Sequence, residues 1–129
     1  MPEDTSLVLV VEDEPQLRGV IVDILRIEGY TVVEAGDGAE ALALVDRPPA
    51  HADRPCLVIL DMMLPGITGM GVLRHLSRRA PQIPVLAISA SRTALEAAAA
   101  AGARAALPKP FDLDQLLDLV AHHAAPLPP

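Results

Sequence analysis

The 129-residue chain is the length of one domain with a single core, and 51% hydrophobic residues exclude a disordered chain. A net charge of −7, from 10 basic and 17 acidic residues with no Lys/Arg cluster, excludes a surface that replaces the counterions of nucleic acid. No apolar run reaches the roughly 18–20 residues that cross a bilayer. The acidic start Met1-Pro2-Glu3-Asp4 is no secretory signal, so the expected location is cytoplasmic, without a membrane role.

Strand and helix patterns alternate along the chain. Leu7 to Val11 is a continuous apolar run, as in a strand covered on both faces. Pro15 suits a first helical turn. Leu17, Ile21, Ile24 and Leu25 follow at helical spacing, and Gly29 ends that helix. Thr31-Val32-Val33 is β-branched and reads as a second strand. Gly38 to Val45 reads as a short helix with Ala39, Leu42 and Ala43 on one side, and Asp46 to Pro55 as a polar, proline-rich loop.

Cys56 opens the next apolar run. As the one cysteine it excludes an internal disulfide and a multi-Cys metal site, and it is expected buried and inert. Leu57 to Leu60 is the third strand, Pro65-Gly66 a loop, and Gly69 to Arg79 a helix. Val85 to Ile88 is the fourth strand, Thr93 to Ala101 an Ala-rich helix closed by Gly102, and Ala103 to Leu107 a weak fifth strand. Asp112 caps a last helix carrying Leu113, Leu116, Leu117 and Val120. The expected division is a domain over 1–124 and a Pro-rich tail or linker start over 125–129. Met1 favours an N-terminal or complete chain. Five strands each followed by a helix imply an α/β, doubly wound parallel sheet with helices on both faces.

In such sheets ligands bind beyond the carboxyl ends of the strands. Glu12, Asp13 and Glu14 follow strand one, Asp61 ends strand three, Ser89 ends strand four and Lys109 follows strand five. Lys109 is the single lysine beside nine arginines. Taken singly, an acid or serine there is an ordinary helix cap or turn residue. Together they gather the acids Glu12, Asp13 and Asp61, a hydroxyl and an ammonium at one edge. Two carboxylates about 4 Å apart repel by roughly 4 kcal/mol at an effective dielectric near 20, so the cluster calls for a cation. Oxygen ligands without Cys or a nearby His suit Mg²⁺, with Mn²⁺ as the alternative, rather than Zn²⁺. That is a phosphoryl-transfer site in outline. Adjacent His122 and His123 point in different directions on a helix and do not suit a shared metal. His51 and His75 show no apparent role, and Glu34, at the end of strand two, no evident partner in this set.

Val10-Val11-Glu12-Asp13-Glu14, Leu60-Asp61-Met62-Met63-Leu64-Pro65-Gly66, Ser89-Ala90 and Lys109-Pro110-Phe111 together resemble the four motifs of response-regulator receiver domains of two-component signalling. The resemblance runs from about Leu7 to Ala124. It implies a five-stranded flavodoxin-like sheet in the order 2-1-3-4-5. It also implies that Asp61 is the phosphoacceptor and nucleophile, taking a phosphoryl group from a histidine kinase or phosphotransfer protein. Asp13, Asp61 and the Met63 carbonyl would bind Mg²⁺, with Glu12 acting through metal-bound water. Lys109, the Ser89 hydroxyl and the Met62 and Ala90 amides would hold the phosphoryl oxygens, and the Lys109–Pro110 peptide would be cis. The chain would catalyse only its own phosphorylation and dephosphorylation and would switch a downstream effector.

Ala106 stands where many of these domains carry Tyr or Phe, which puts the usual hydroxyl–aromatic switch in question. The Ala-rich surface nearby does not suit the common dimer, so a monomer is favoured. Two other readings compete. One is a pseudo-receiver, an interaction module that takes no phosphate, against which Asp13, Asp61 and Lys109 argue. The other is a Mg²⁺-dependent phosphatase, weakened because no cap segment encloses a substrate.

Overall fold

Each apolar run becomes a strand in the computed structural model, which describes residues 7–46 and 55–124. The strands are β1 (Leu7–Val11), β2 (Thr31–Ala35), β3 (Leu57–Asp61), β4 (Val85–Ser89) and β5 (Ala105–Pro108). They form one parallel sheet in the order β2-β1-β3-β4-β5, the order expected. The helices are α1 (Pro15–Ile27), α2 (Gly38–Val45), α3 (Gly69–Arg79), α4 (Arg92–Ala100) and α5 (Leu113–His123). Among the described residues no helix is long and apolar enough to cross a membrane.

The three inner strands are buried at every position, which explains their unbroken apolar sequence. Successive side chains point to opposite faces. Leu9, Val11, Val58, Leu60, Val85 and Ala87 pack with Val72, Leu73 and Leu76 of α3 and with buried residues of α2 and α4. Val8, Val10, Ile59, Leu86 and Ile88 pack with Ile21 and Leu25 of α1 and with Leu116 and Val120 of α5. Two layers of helices thus cover both faces of the three inner strands. The edge strands β2 and β5 are buried only in part.

Local chemistry sets the helix ends. Pro15 starts α1, and Gly29 ends it in the left-handed region at φ +100°. The side chains of Asp37, Thr68 and Ser91 accept from the amides of Glu40, Gly71 and Ala94 at 2.8, 3.1 and 3.1 Å, capping α2, α3 and α4. Gln115 Oε1 accepts from the Asp112 amide at the start of α5.

Some expectations need correction. The fully buried side of α2 is Gly38, Ala41 and Val45; of the expected side Leu42 packs in part against the core while Ala39 and Ala43 are exposed, and Gly38 sits against Ile67. α4 begins at Arg92, since Ser91 is its cap. β5 begins at Ala105, because the Ala103 amide closes α4 on Ala98 O and the Arg104 amide is the first to bond β4. Cys56 is only half-buried, with its sulfur 3.9 Å from Ala124 O, and burial raises its thiol pKa. The residues 47–54 of the expected loop, with His51, and the tail 125–129 lie outside the described residues.

The β3–α3 loop returns tightly to the strand it leaves. A Cβ on Gly69 would stand 2.5 Å from Met62 Cα and 2.7 Å from Asp61 O, both backbone atoms. Gly19, on α1, has no atom within 4 Å of such a Cβ. Urea denaturation followed by far-UV circular dichroism should show Gly69→Ala destabilised by about 1–3 kcal/mol or more. Gly19→Ala should gain about 0.5–1 kcal/mol. Equal effects at the two glycines would contradict this packing.

Candidate functional site

The sheet register delivers the chemistry-bearing residues to adjacent positions. Val11 pairs with Leu60 and Asp61 with Ile88, so Glu12 follows onto the row of Asp61. Ser89 pairs with Pro108, and the Lys109 amide bonds Ser89 O at 2.9 Å. Among the described residues Glu12, Asp61 and Ser89 are the buried polar side chains, at 0, 2 and 0% exposure. Asp13 is exposed at the rim. One carboxylate oxygen each from Glu12, Asp13 and Asp61 lie within 4.8 Å of one another.

Lys109 reaches into this cluster. Its Nζ lies 3.1 Å from Asp61 Oδ2, to which it donates, and 3.1 Å from Glu12 Oε1. The second contact is an ion pair without hydrogen-bond alignment, so Glu12 Oε1 is buried without a hydrogen-bond donor. The other Glu12 oxygen accepts from the Glu14 amide at 3.1 Å. Asp61 Oδ1 accepts from the Met63 amide at 3.0 Å. Ser89 Oγ accepts from the Ser91 amide at 3.0 Å, so Ser91 rather than Ser89 caps α4. The Lys109–Pro110 peptide is cis.

These neighbours shift proton affinities. Burial pushes the Glu12 carboxyl from 4.5 up to about 7, and the Asp61 charge adds to that. The Glu14 amide and Lys109 work in the opposite direction. Burial alone would lower the Lys109 ammonium, but its contacts with Glu12 and Asp61 outweigh that and raise it.

The residues fit a hard divalent cation. Three carboxylates face one ammonium, and each pair of like charges at about 5 Å costs roughly 3 kcal/mol at an effective dielectric near 20. The donors are all oxygen, and Glu12 Oε1 is left short of a partner. Asp13, Asp61 and Glu12 would hold the ion from the acidic side.

The structure brings together Glu12, Asp13, Asp61 and Lys109, with Ser89 and Ala90 at the end of the neighbouring strand. Met62 is a correction. Its side chain is buried and its amide donates to Ile88 O at 2.9 Å within the sheet, so the amide facing the Asp61 carboxylate is that of Met63. Met63 itself is exposed at the rim.

Sequence reasoning missed Arg18. Its Nη1 donates to Glu12 O at 2.7 Å and its Nε to Glu34 Oε1 at 3.1 Å, giving Glu34 the partner it lacked. Sixteen residues separate Arg18 from Glu34, and no helix or strand period links them. His75 Nε2 lies 2.8 Å from Asp46 Oδ1, tying α3 to the end of α2. His122 and His123 meet edge to face, 4.7 Å between ring centres.

Comparison with known proteins agrees with this geometry. The family described as the response regulator receiver domain matches residues 8–121. A probable transcriptional regulatory protein of Mycobacterium tuberculosis, TcrX, is 39% identical over 113 residues, covering 85% of this chain and 46% of that protein. A second regulator of that organism, TcrA, is 40% identical over 111 residues, covering 84% and 42%. The chain therefore spans less than half the length of these relatives. The receiver domain of NtrX from Brucella abortus superposes with a TM-score of 0.79 at 35% identity, covering 91% of this chain and 96% of that one. The Thermotoga maritima response regulator TrrA, solved in complex with Mg²⁺ and BeF, gives 0.81 at 28% identity, covering 91% and 97%.

The Glu12 carboxyl makes a pH prediction for metal-free protein. Between about 4.5 and about 7 the folded state holds a proton that the unfolded chain has released. The resulting stability is fully present below 4.5 and is lost as pH rises through 7. Thermal melts in chelator should show wild type falling relative to Glu12→Gln between pH 5 and 8, by roughly 3–8 °C. Parallel curves would show that Glu12 is ionised throughout.

Proposed function

The chain belongs to the response-regulator receiver domain family, and from that premise we propose that Asp61 accepts a phosphoryl group with the help of Mg²⁺. One observation supports this above the rest: Asp61 is buried at a strand end between an ammonium 3.1 Å from one carboxylate oxygen and an amide 3.0 Å from the other.

Asp13 and Asp61, with the Met63 carbonyl, would hold the metal, and Glu12 would act on it through water. When bound, Mg²⁺ supplies the positive charge that three carboxylates and one lysine lack and aligns the transferring phosphoryl group. An Asp61 carboxylate oxygen attacks the phosphorus of a phosphohistidine. The phosphorus–nitrogen bond breaks, and the imidazole leaves as the new acyl phosphate forms on Asp61. Lys109 shifts its donation from the carboxylate to a phosphoryl oxygen. The Ser89 hydroxyl and the Ala90 and Met63 amides take up the others. A largely dissociative transition state asks little more of the protein than this neutralisation and positioning. The added dianion then draws Ser89 and the start of the β4–α4 turn inward.

The donor is a histidine kinase or histidine phosphotransfer protein, and the output passes to an effector outside this chain. The chain's catalysis is confined to forming and hydrolysing its own acyl phosphate. The unit spans 1–124, with 125–129 a tail or linker, and it works as a monomer in the cytoplasm. Mn²⁺, also a hard oxygen-binding ion, substitutes for Mg²⁺.

Intact-mass spectrometry after incubation with acetyl phosphate tests the assignment. Wild type should gain one phosphoryl mass when Mg²⁺ is present and none in chelator. Asp61→Ala should stay unlabelled, and Lys109→Ala should label roughly 100-fold more slowly. Labelling of Asp61→Ala at the wild-type rate would refute Asp61 as acceptor.

A further inference from the structure

We propose that Arg18, oriented by Glu34, is a positioning residue that holds the acidic turn after β1 in its metal-binding shape. The inference rests on the reading that this turn takes a divalent cation.

The parallel ladder between β1 and β2 runs out at the turn. The Glu12 amide still donates to Ala35 O at 3.1 Å. In a continuing parallel ladder the Glu12 carbonyl would accept from the amide of residue 37. But β2 ends at Ala35, and Asp37 already serves as the N-cap of α2. Arg18 supplies the missing donor, its Nη1 lying 2.7 Å from Glu12 O. A charged donor on a half-buried carbonyl makes a shorter, stronger bond than an amide would.

The guanidinium is itself held from two sides. Glu34 Oε1 accepts from Nε at 3.1 Å. A Cβ on Gly36 would stand 3.2 Å from Nη1, so the fork lies close against the β2–α2 turn. That turn is fastened in its own right, with Glu40 Oε1 accepting from the Gly36 amide at 2.7 Å. One side chain of α1 thus ties the Glu12–Asp13 turn to the start of α2. The Arg18–Glu34 pair is partly exposed, and such pairs add little stability on their own. Its value here is geometric, because Glu12 and Asp13 both follow the carbonyl and peptide that Arg18 grips.

Charge and geometry predict opposite signs. A guanidinium beside an acidic cluster repels a divalent cation, so if only its charge mattered, removing it would tighten Mg²⁺ binding. If it positions the turn, removing it loosens binding. Isothermal titration with Mg²⁺ on wild type, Arg18→Gln, Arg18→Lys and Glu34→Gln separates the two. Arg18→Gln should weaken Mg²⁺ binding roughly 10-fold, as loss of an outer support to a ligand does. Arg18→Lys, which keeps the charge and loses the fork, should also weaken it. Glu34→Gln should weaken it less, and adding Glu34→Gln to Arg18→Gln should change nothing further. In metal-free protein, amide hydrogen exchange at Asp13 and Glu14 should quicken in Arg18→Gln. Arg18→Gln or Glu34→Gln binding Mg²⁺ as tightly as wild type, or more tightly, overturns the inference alone. A wild type that takes no Mg²⁺ defeats the metal reading and this inference with it.

Discussion

Glu12 and Asp61 are carboxylates held almost wholly out of water, within reach of a single ammonium. Burying a charge is costly unless it is paired and hydrogen-bonded, and here the pairing is incomplete. One Glu12 oxygen has no donor, and that carboxyl holds its proton up to about pH 7. The rest of the molecule sustains this imbalance. The sheet sets the separation of the strand ends, and two layers of helices bury the faces of its inner strands. A site balanced short of positive charge is disposed to take a cation, and with it an anionic group.

Most of the fold was legible because inner strands must be apolar at every position. β1, β3 and β4 stood out as unbroken runs, whereas the caps Asp37, Thr68 and Ser91 became plain only in the structure. The face of α2 was read only in part because alanine carries too little apolar weight to mark an inner side. There Gly38 sits against Ile67. The start of β5 was misread for a related reason, since Ala103-Arg104-Ala105 alternates as a strand would although its first residues belong to the turn that closes α4.

The acids, the serine and the lysine were legible from their place after strands, because a parallel sheet collects such residues at one edge. Which backbone amide faces Asp61 was not. The ladder consumes the Met62 amide and leaves that of Met63, a distinction of one residue that only the register makes. Arg18 was not legible either, since its partners are a backbone carbonyl and a glutamate on another strand. Ala106 is exposed on β5 and offers no ring to follow a movement of Ser89.

On the proposed function, one metal ion and one phosphoryl group share the room between Asp13, Asp61, Ser89 and Lys109. A crystal structure of the chain grown with Mg²⁺ and beryllofluoride tests it most directly. The account predicts beryllofluoride on an Asp61 oxygen, contacted by Lys109 Nζ and Ser89 Oγ, with Mg²⁺ bound by Asp13, Asp61 and the Met63 carbonyl. Beryllofluoride absent from a fully formed site, or Mg²⁺ held elsewhere with Lys109 still locked on both carboxylates, would contradict it.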